Sequence, residues 1–99
     1  MLVHTVLFWL KEDLDDAQRA AFRKGLESLR GIETVEDLHV GTPAPTPPRP
    51  IIDNTYSFGL TVIFRDMAGH DAYQVHGLHK AFLDAFASYW IRVQIYDAI

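Results

Sequence analysis

The spacing of apolar and polar residues along the chain predicts a β-strand followed by a helix at the start of the sequence. Residues 2–10 form an almost unbroken apolar run rich in β-branched and aromatic side chains, as in a strand covered on both faces. Apolar residues at helical spacing follow over residues 15–30. Asp13 or Asp15 suits the N-cap of this helix, and Gly31 suits its C-terminal end.

The rest of the chain alternates between strand and helix patterns. A weaker strand pattern covers residues 32–41, and a clear period-two pattern covers 54–64, with Tyr56 predicted on its main apolar face. Asp66 can cap a short helix that runs to about Gln74, and Gly77 interrupts the helical path before a second helical piece. Residues 91–99 close the chain as a strand whose predicted inner row is Ile91, Val93, Ile95 and Asp97.

All five prolines lie between Gly41 and Ile51, in the sequence GTPAPTPPRPI. Neither a helix nor a central strand tolerates so many prolines, so this loop is predicted to be extended and polyproline-like. A stiff connection, or a flap over a neighbouring cavity mouth, is favoured over a proline-rich ligand for an aromatic groove.

The element order is β-α-β-β-α-β, which predicts a ferredoxin-like α+β fold with a four-stranded antiparallel sheet. Right-handed crossovers place the helices on one sheet face, and the first and third strands form the central pair. The opposite face of the first strand, with Val3, Leu7 and Trp9, then lacks a cover. Because a monomer rarely exposes so much apolar surface, we expect a two-fold homodimer closed sheet to sheet.

Composition narrows the function classes. The 99 residues suit one domain over residues 1–99, and a net charge of -4 without a basic cluster argues against nucleic-acid binding. The absence of cysteine excludes disulfides and thiolate chemistry. The apolar start is too short to span a membrane and resembles no signal peptide, so we expect a cytoplasmic protein with no membrane partner.

Several residues together resemble the stress-responsive A/B barrel, or Dabb, family. They are His4 near the start of the first strand, a strand that ends in Phe64 before a short D-A-Y helix, the cluster Y-x-x-H-x-x-H-x-x-F from Tyr73 to Phe82, and the final I-Y-D. The resemblance covers essentially the whole chain and implies ferredoxin-like subunits that pair into a dimeric α+β barrel. Two departures are visible. Gly77 replaces a proline that is usual in the family, and Phe58 stands where the family's plant polyketide cyclase has a pocket histidine.

The resemblance implies that His79 acts as a base and that Tyr73 and His4 lie beside it. An imidazole suits a general base near neutral pH, and Tyr73 would donate a hydrogen bond to an enolate or oxyanion. Asp97 is predicted to accept from one ring nitrogen of His79. The alternative is a buried structural His79 held by the same Asp97, and for His4 a satisfied core histidine is favoured over a pocket residue.

No metal site or cofactor is predicted. His76 and His79 are three residues apart and His70 lies six residues before His76, which is a weak pattern for metal binding. His39 is expected to be exposed.

Three functions stay open. The first is a small dimeric Dabb protein that binds a small apolar molecule between sheet and helices. The second is a cofactor-free polyketide cyclase-like lyase or isomerase that uses His79 and Tyr73, and the third is a purely structural assembly protein. The residues predicted to line a binding site are His4, Val6, Phe8, Phe58, Leu60, Phe82, Phe86 and Trp90.

Overall fold

A computed structural model describes all 99 residues and contains one four-stranded antiparallel sheet with three helices on one of its faces. The strand order is β2-β3-β1-β4, so the predicted ferredoxin-like topology and its central strand pair are confirmed. The elements are β1 (Leu2–Leu10), α1 (Asp16–Ser28), β2 (Val35–Gly41), β3 (Phe58–Phe64), α2 (Met67–Gln74), α3 (Gly77–Phe86) and β4 (Trp90–Ala98). None of the three helices has the length and apolar character of a membrane span.

Side-chain caps set where the first two helices begin. Asp15, not Asp13, caps α1, because its Oδ1 accepts from the Gln18 amide at 2.7 Å while the Gln18 side chain accepts from the Asp15 amide at 2.9 Å. Asp66 caps α2 as predicted and accepts from the Gly69 amide at 3.0 Å. These local bonds satisfy amides that have no partner within the helix.

The helical path is interrupted between Gln74 and Gly77, as the sequence predicts. His76 is the N-cap of α3, and its Nδ1 accepts from the Leu78 amide at 3.0 Å. The backbone of His76 is extended, with φ -67° and ψ 147°. A histidine side chain therefore restarts the helix, and glycine occupies the first helical position.

The core lies between the sheet and the helices. Alternate residues of β1 point into it, and β3 contributes a second alternating row. The side chains of Phe22 and Leu26 enter from α1, and Phe82 enters from α3. The face of β1 that the sequence assigned to the interior, with His4, Val6, Phe8 and Leu10, is the buried face.

Two residues lie on a different face from the predicted one. Tyr56 precedes β3 and packs edge-on against Trp9 on the open face of the sheet, with ring centroids 6.5 Å apart. In β4, a bulge aligns Trp90 with Leu10 and leaves Ile91 69% exposed. The inner row of β4 is therefore continued by Trp90 in place of Ile91.

The proline-rich connection runs from β2 to β3 without forming a strand of its own. Its final residues bind the end of β1: the Ser57 amide donates to the Phe8 carbonyl at 2.7 Å, and the Trp9 indole donates to Thr55 Oγ1 at 2.9 Å. These contacts place the end of the connection beside Trp9, on the sheet face that carries no helix.

Candidate functional site

A cavity of about 240 Å³ lies between the sheet and helices α2 and α3. Ten of its thirteen lining residues are hydrophobic, so the site favours an apolar occupant. Leu83, Val93 and Ile95 on its wall are 38 to 46% exposed, which places its opening between α3 and the outer strand β4. The lining residues are His4, Val6, Phe8, Leu29, Leu60, Tyr73, Gln74, His79, Phe82, Leu83, Trp90, Val93 and Ile95.

Six of the eight residues predicted to line a binding site lie on this cavity, and Phe58 and Phe86 do not. The Phe58 ring packs against Phe22, with centroids 5.6 Å apart, and Phe86 packs against Phe22 and Phe82. The Phe58 ring therefore does not fill the space beside His79. Val93 and Ile95 were missed, although they share the predicted inner row of β4 with Asp97.

His79 and Tyr73 form the polar wall of the cavity. Their ring centroids are 4.9 Å apart in an edge-to-face arrangement. The His79 Nδ1 atom is buried and has no hydrogen-bond partner. Buried polar atoms are almost always paired, so this nitrogen is an exception among the buried polar side-chain atoms of the chain.

Burial affects the protonation of both side chains. It lowers the pKa of His79, and the positive charges that His4 and His70 carry when protonated lower it further. Burial alone raises the pKa of Tyr73 above its ordinary value. At neutral pH the site therefore presents an uncharged imidazole, which can accept a proton, and a protonated phenol, which can donate a hydrogen bond.

The predicted hydrogen bond between Asp97 and His79 is wrong. Asp97 Oδ1 lies 2.5 Å from Nδ1 of His4. The register of β1 and β4 aligns these two residues, so their side chains stand beside each other on the same sheet face. His79 consequently has no carboxylate partner, while His4 is 2% exposed and lines the cavity.

His76 binds groups other than His79. His76 binds Glu33 through Nε2 at 3.0 Å and caps α3 through Nδ1, so both of its nitrogens are engaged. His70 packs edge-on against His4, with centroids 5.2 Å apart. Sequence spacing did not indicate this pair, because it depends on the position at which α2 crosses the start of β1.

Comparisons with known proteins identify the fold. The sequence profile of the stress responsive A/B barrel domain family matches residues 2–99. A Dabb family protein with a ferredoxin-like fold from Mesorhizobium loti is 26% identical, with a TM-score of 0.81 over 99% of this chain and 94% of that one. No curated protein sequence matches significantly.

Two further solved structures share the fold at lower identity. One is a dimeric ferredoxin-like protein of unknown function from Thermobifida fusca, 19% identical, with a TM-score of 0.79 over 98% of this chain and 88% of that one. The other is a hydroxynitrile lyase from Passiflora edulis, 16% identical, with a TM-score of 0.82 over 99% of this chain and 91% of that one. Proteins with this fold thus include one described as an enzyme and one described as a dimer.

Proposed function

The chain belongs to the stress-responsive A/B barrel (Dabb) family, and we propose that it binds a small, mainly apolar molecule in the cavity between its sheet and helices. The observation that carries this proposal is the open, apolar cavity of about 240 Å³ into which Phe58 does not project. A cavity filled by its own side chains would have supported a purely structural protein instead.

The cavity limits the size and polarity of the ligand. An apolar cavity of about 150 Å³ holds benzene, so this volume suits a molecule on the order of ten non-hydrogen atoms. Tyr73 offers a hydrogen-bond donor on the same wall where His79 has a buried, unpaired nitrogen. A ketone or aldehyde with an aromatic or aliphatic body matches this arrangement, because its single oxygen would meet the polar wall.

A second candidate function is cofactor-independent lyase, cyclase or isomerase chemistry at the same place. His79 would remove a proton from the carbon next to a carbonyl; the C–H bond breaks, the proton passes to the imidazole, and the electron pair delocalises onto the carbonyl oxygen. Tyr73 would donate to that developing enolate. The uncharged state of the partly buried His79 supports this role. Asp97 would then act as a positioning residue for His4.

Binding can be tested without knowing the natural ligand. We expect 4-phenyl-2-butanone to shift the nuclear magnetic resonance signals of Tyr73, His79 and Phe8. Leu83→Trp should weaken binding because it places an indole at the cavity mouth. Val75→Trp is the matched control, since Val75 is 67% exposed and outside the cavity. Shifts that persist unchanged in Leu83→Trp would contradict binding in this cavity.

Proton abstraction can be tested with the same ketone, 4-phenyl-2-butanone, by following hydrogen–deuterium exchange at the two carbons next to its carbonyl group. His79→Gln should slow the protein-catalysed exchange by roughly 10²- to 10⁴-fold. Lys80→Gln is the control, because Lys80 is the exposed neighbour of His79 on α3 and lies outside the cavity. Binding without any exchange would exclude the catalytic role and leave the binding proposal intact.

We also propose that the chain forms a homodimer through the open face of its sheet, as a dimeric α+β barrel. Val3, Leu7 and Trp9 lie half-buried on this face with no helix over them. Arg92 lies 4.0 Å above the Trp9 ring in a cation–π contact on the same face. The dimeric relative with the same fold supports this assembly.

A further inference from the structure

Three side chains that can bind metal ions converge at one end of the sheet. His4 from β1, His70 from α2 and Asp97 from β4 each offer one donor atom, and these atoms all lie within 4.8 Å of one another. His70 and Asp97 do not line the cavity, and His4 is the one member that does, so the cluster adjoins the cavity beyond the wall formed by Tyr73 and His79.

The fold brings the three residues together by separate routes. Antiparallel pairing aligns His4 with Asp97. The short turn after β3 starts α2 at the Asp66 cap, and His70 then packs edge-on against both Phe64 and His4. His4 and His70 are 66 positions apart in sequence, and His70 and Asp97 are 27 apart, yet their side chains surround one point. No requirement of local structure explains this convergence.

We propose that His4, His70 and Asp97 bind a divalent transition-metal ion, and we take Zn²⁺ as the representative ion. Two imidazoles and one carboxylate match the ligand preference of Zn²⁺, and other first-row transition ions accept the same set. Magnesium and calcium prefer oxygen ligands throughout, so this cluster selects against them. Water would complete the coordination on the side where Asp97 is exposed.

The contacts of His70 suit a metal ligand. Its Nδ1 lies 3.1 Å from the Asp71 carboxylate, and its Nε2 lies 3.2 Å from the side-chain amide of Gln74. The carboxylate favours a proton on Nδ1, which leaves the lone pair of Nε2 available. A carboxylate behind a ligating histidine is the usual outer partner in metal sites, and the Gln74 amide would be displaced.

The three donors need only small movements to surround an ion. Ligands about 2.0 to 2.2 Å from a tetrahedral ion lie roughly 3.3 Å from one another, so the farthest pair, at most 4.8 Å apart, closes by about 1.5 Å. The His4 side chain is 3% exposed and fixed, whereas that of Asp97 is 42% exposed and that of His70 is 14% exposed. His70 can therefore move towards His4, whereas Asp97 Oδ1, which lies 2.5 Å from His4 Nδ1, has to move away by about 0.8 Å to reach the separation of roughly 3.3 Å.

This proposal does not rest on the proposed function, and zinc alone can test it. We expect calorimetric titration of tag-free protein with zinc chloride at neutral pH to give one ion per chain. His70→Ala and Asp97→Asn should each weaken binding about tenfold or more. His76→Ala, which removes a histidine that also has a carboxylate neighbour, should leave the affinity unchanged. Long-range proton–nitrogen spectra should show shifts at the ring nitrogens of His4 and His70 but not of His39.

The absence of zinc binding to the wild-type protein would overturn the proposal. Unchanged affinity in His70→Ala, or equal loss in His76→Ala, would overturn it as well, because binding would then lie elsewhere. Circular dichroism establishes that each variant is folded before titration. If Asp97→Asn does not fold, His70→Ala decides alone, since it alters a partly exposed side chain on a short helix.

Discussion

Replacing His79 by glutamine should change how the stability of the protein depends on pH. In the folded chain, burial and the nearby histidines hold the pKa of His79 below the ordinary value of about 6.5. In the unfolded chain the same imidazole is hydrated and takes a proton more readily. As the pH falls below about 6.5, the unfolded state therefore binds a proton that the folded state does not, and stability is lost.

The structure limits the size of this effect. One proton bound only by the unfolded state changes the free energy of unfolding by at most about 1.4 kcal/mol per pH unit, and only between the unfolded and folded pKa values. His79 is only partly buried, so its total contribution is smaller than that of a fully buried imidazole. At pH 8 the substitution should cost less than about 1 kcal/mol, because His79 Nδ1 has no protein hydrogen bond to lose.

Urea denaturation at a series of pH values from 8 to about 5 measures the free energy of unfolding. It gives both the cost of the substitution at pH 8 and the change in stability as the pH falls. The wild type should lose stability relative to His79→Gln as the pH falls, so that the two curves converge or cross. Val75→Ala is the control, because it shortens an exposed side chain that has no titratable group and should give a curve parallel to the wild type. Parallel curves for wild type and His79→Gln would refute the assignment of a neutral, buried imidazole. A loss of several kcal/mol at pH 8 would instead show that His79 holds the fold together.

Three further substitutions test other parts of the structure. Tyr73→Phe should change the free energy of unfolding by less than about 1 kcal/mol in urea denaturation, because no hydrogen bond contributes to the raised pKa of its hydroxyl, yet it should weaken binding of the ketone probe. Leu7→Arg should convert a dimer to monomers in sedimentation velocity, whereas Val75→Arg, on an exposed turn, should not. Gly77→Pro should raise the free energy of unfolding by about 0.5 to 1 kcal/mol, because Gly77 is the first residue of α3, His76 is already extended, and no atom lies within 4 Å of an added Cβ. Gly69→Pro should destabilise by comparison, because the Gly69 amide donates to the Asp66 cap.

The sequence predicts the strand faces well wherever the period of two is uninterrupted. His4, Val6 and Phe8 alternate with half-buried neighbours along β1, as their spacing indicates. The caps of α1 and α2 were also predictable, because they depend on residues three positions apart. Such features need only local chemistry, which the order of residues contains.

The predictions that were wrong concern contacts that depend on the register between strands distant in sequence. A bulge of one residue in β4 exchanges the faces of Trp90 and Ile91, and nothing in the local pattern marks it. Tyr56 lies two residues before β3 begins, outside the period-two pattern of that strand, and contacts Trp9 on the open face. The partner of Asp97 is likewise fixed by the alignment of β4 with β1, so the sequence identified the residue but assigned it to the wrong histidine.

The interruption at His76 and Gly77 determines what the cavity can do. Tyr73 and His79 are six residues apart, and on a continuous helix their side chains would point about 120° apart, since each residue turns the helix by roughly 100°. They could not then face one space. The restart of the helix at His76 brings their rings to 4.9 Å on the same cavity wall. A residue that breaks the helix is therefore the physical reason that an otherwise apolar cavity has a polar wall.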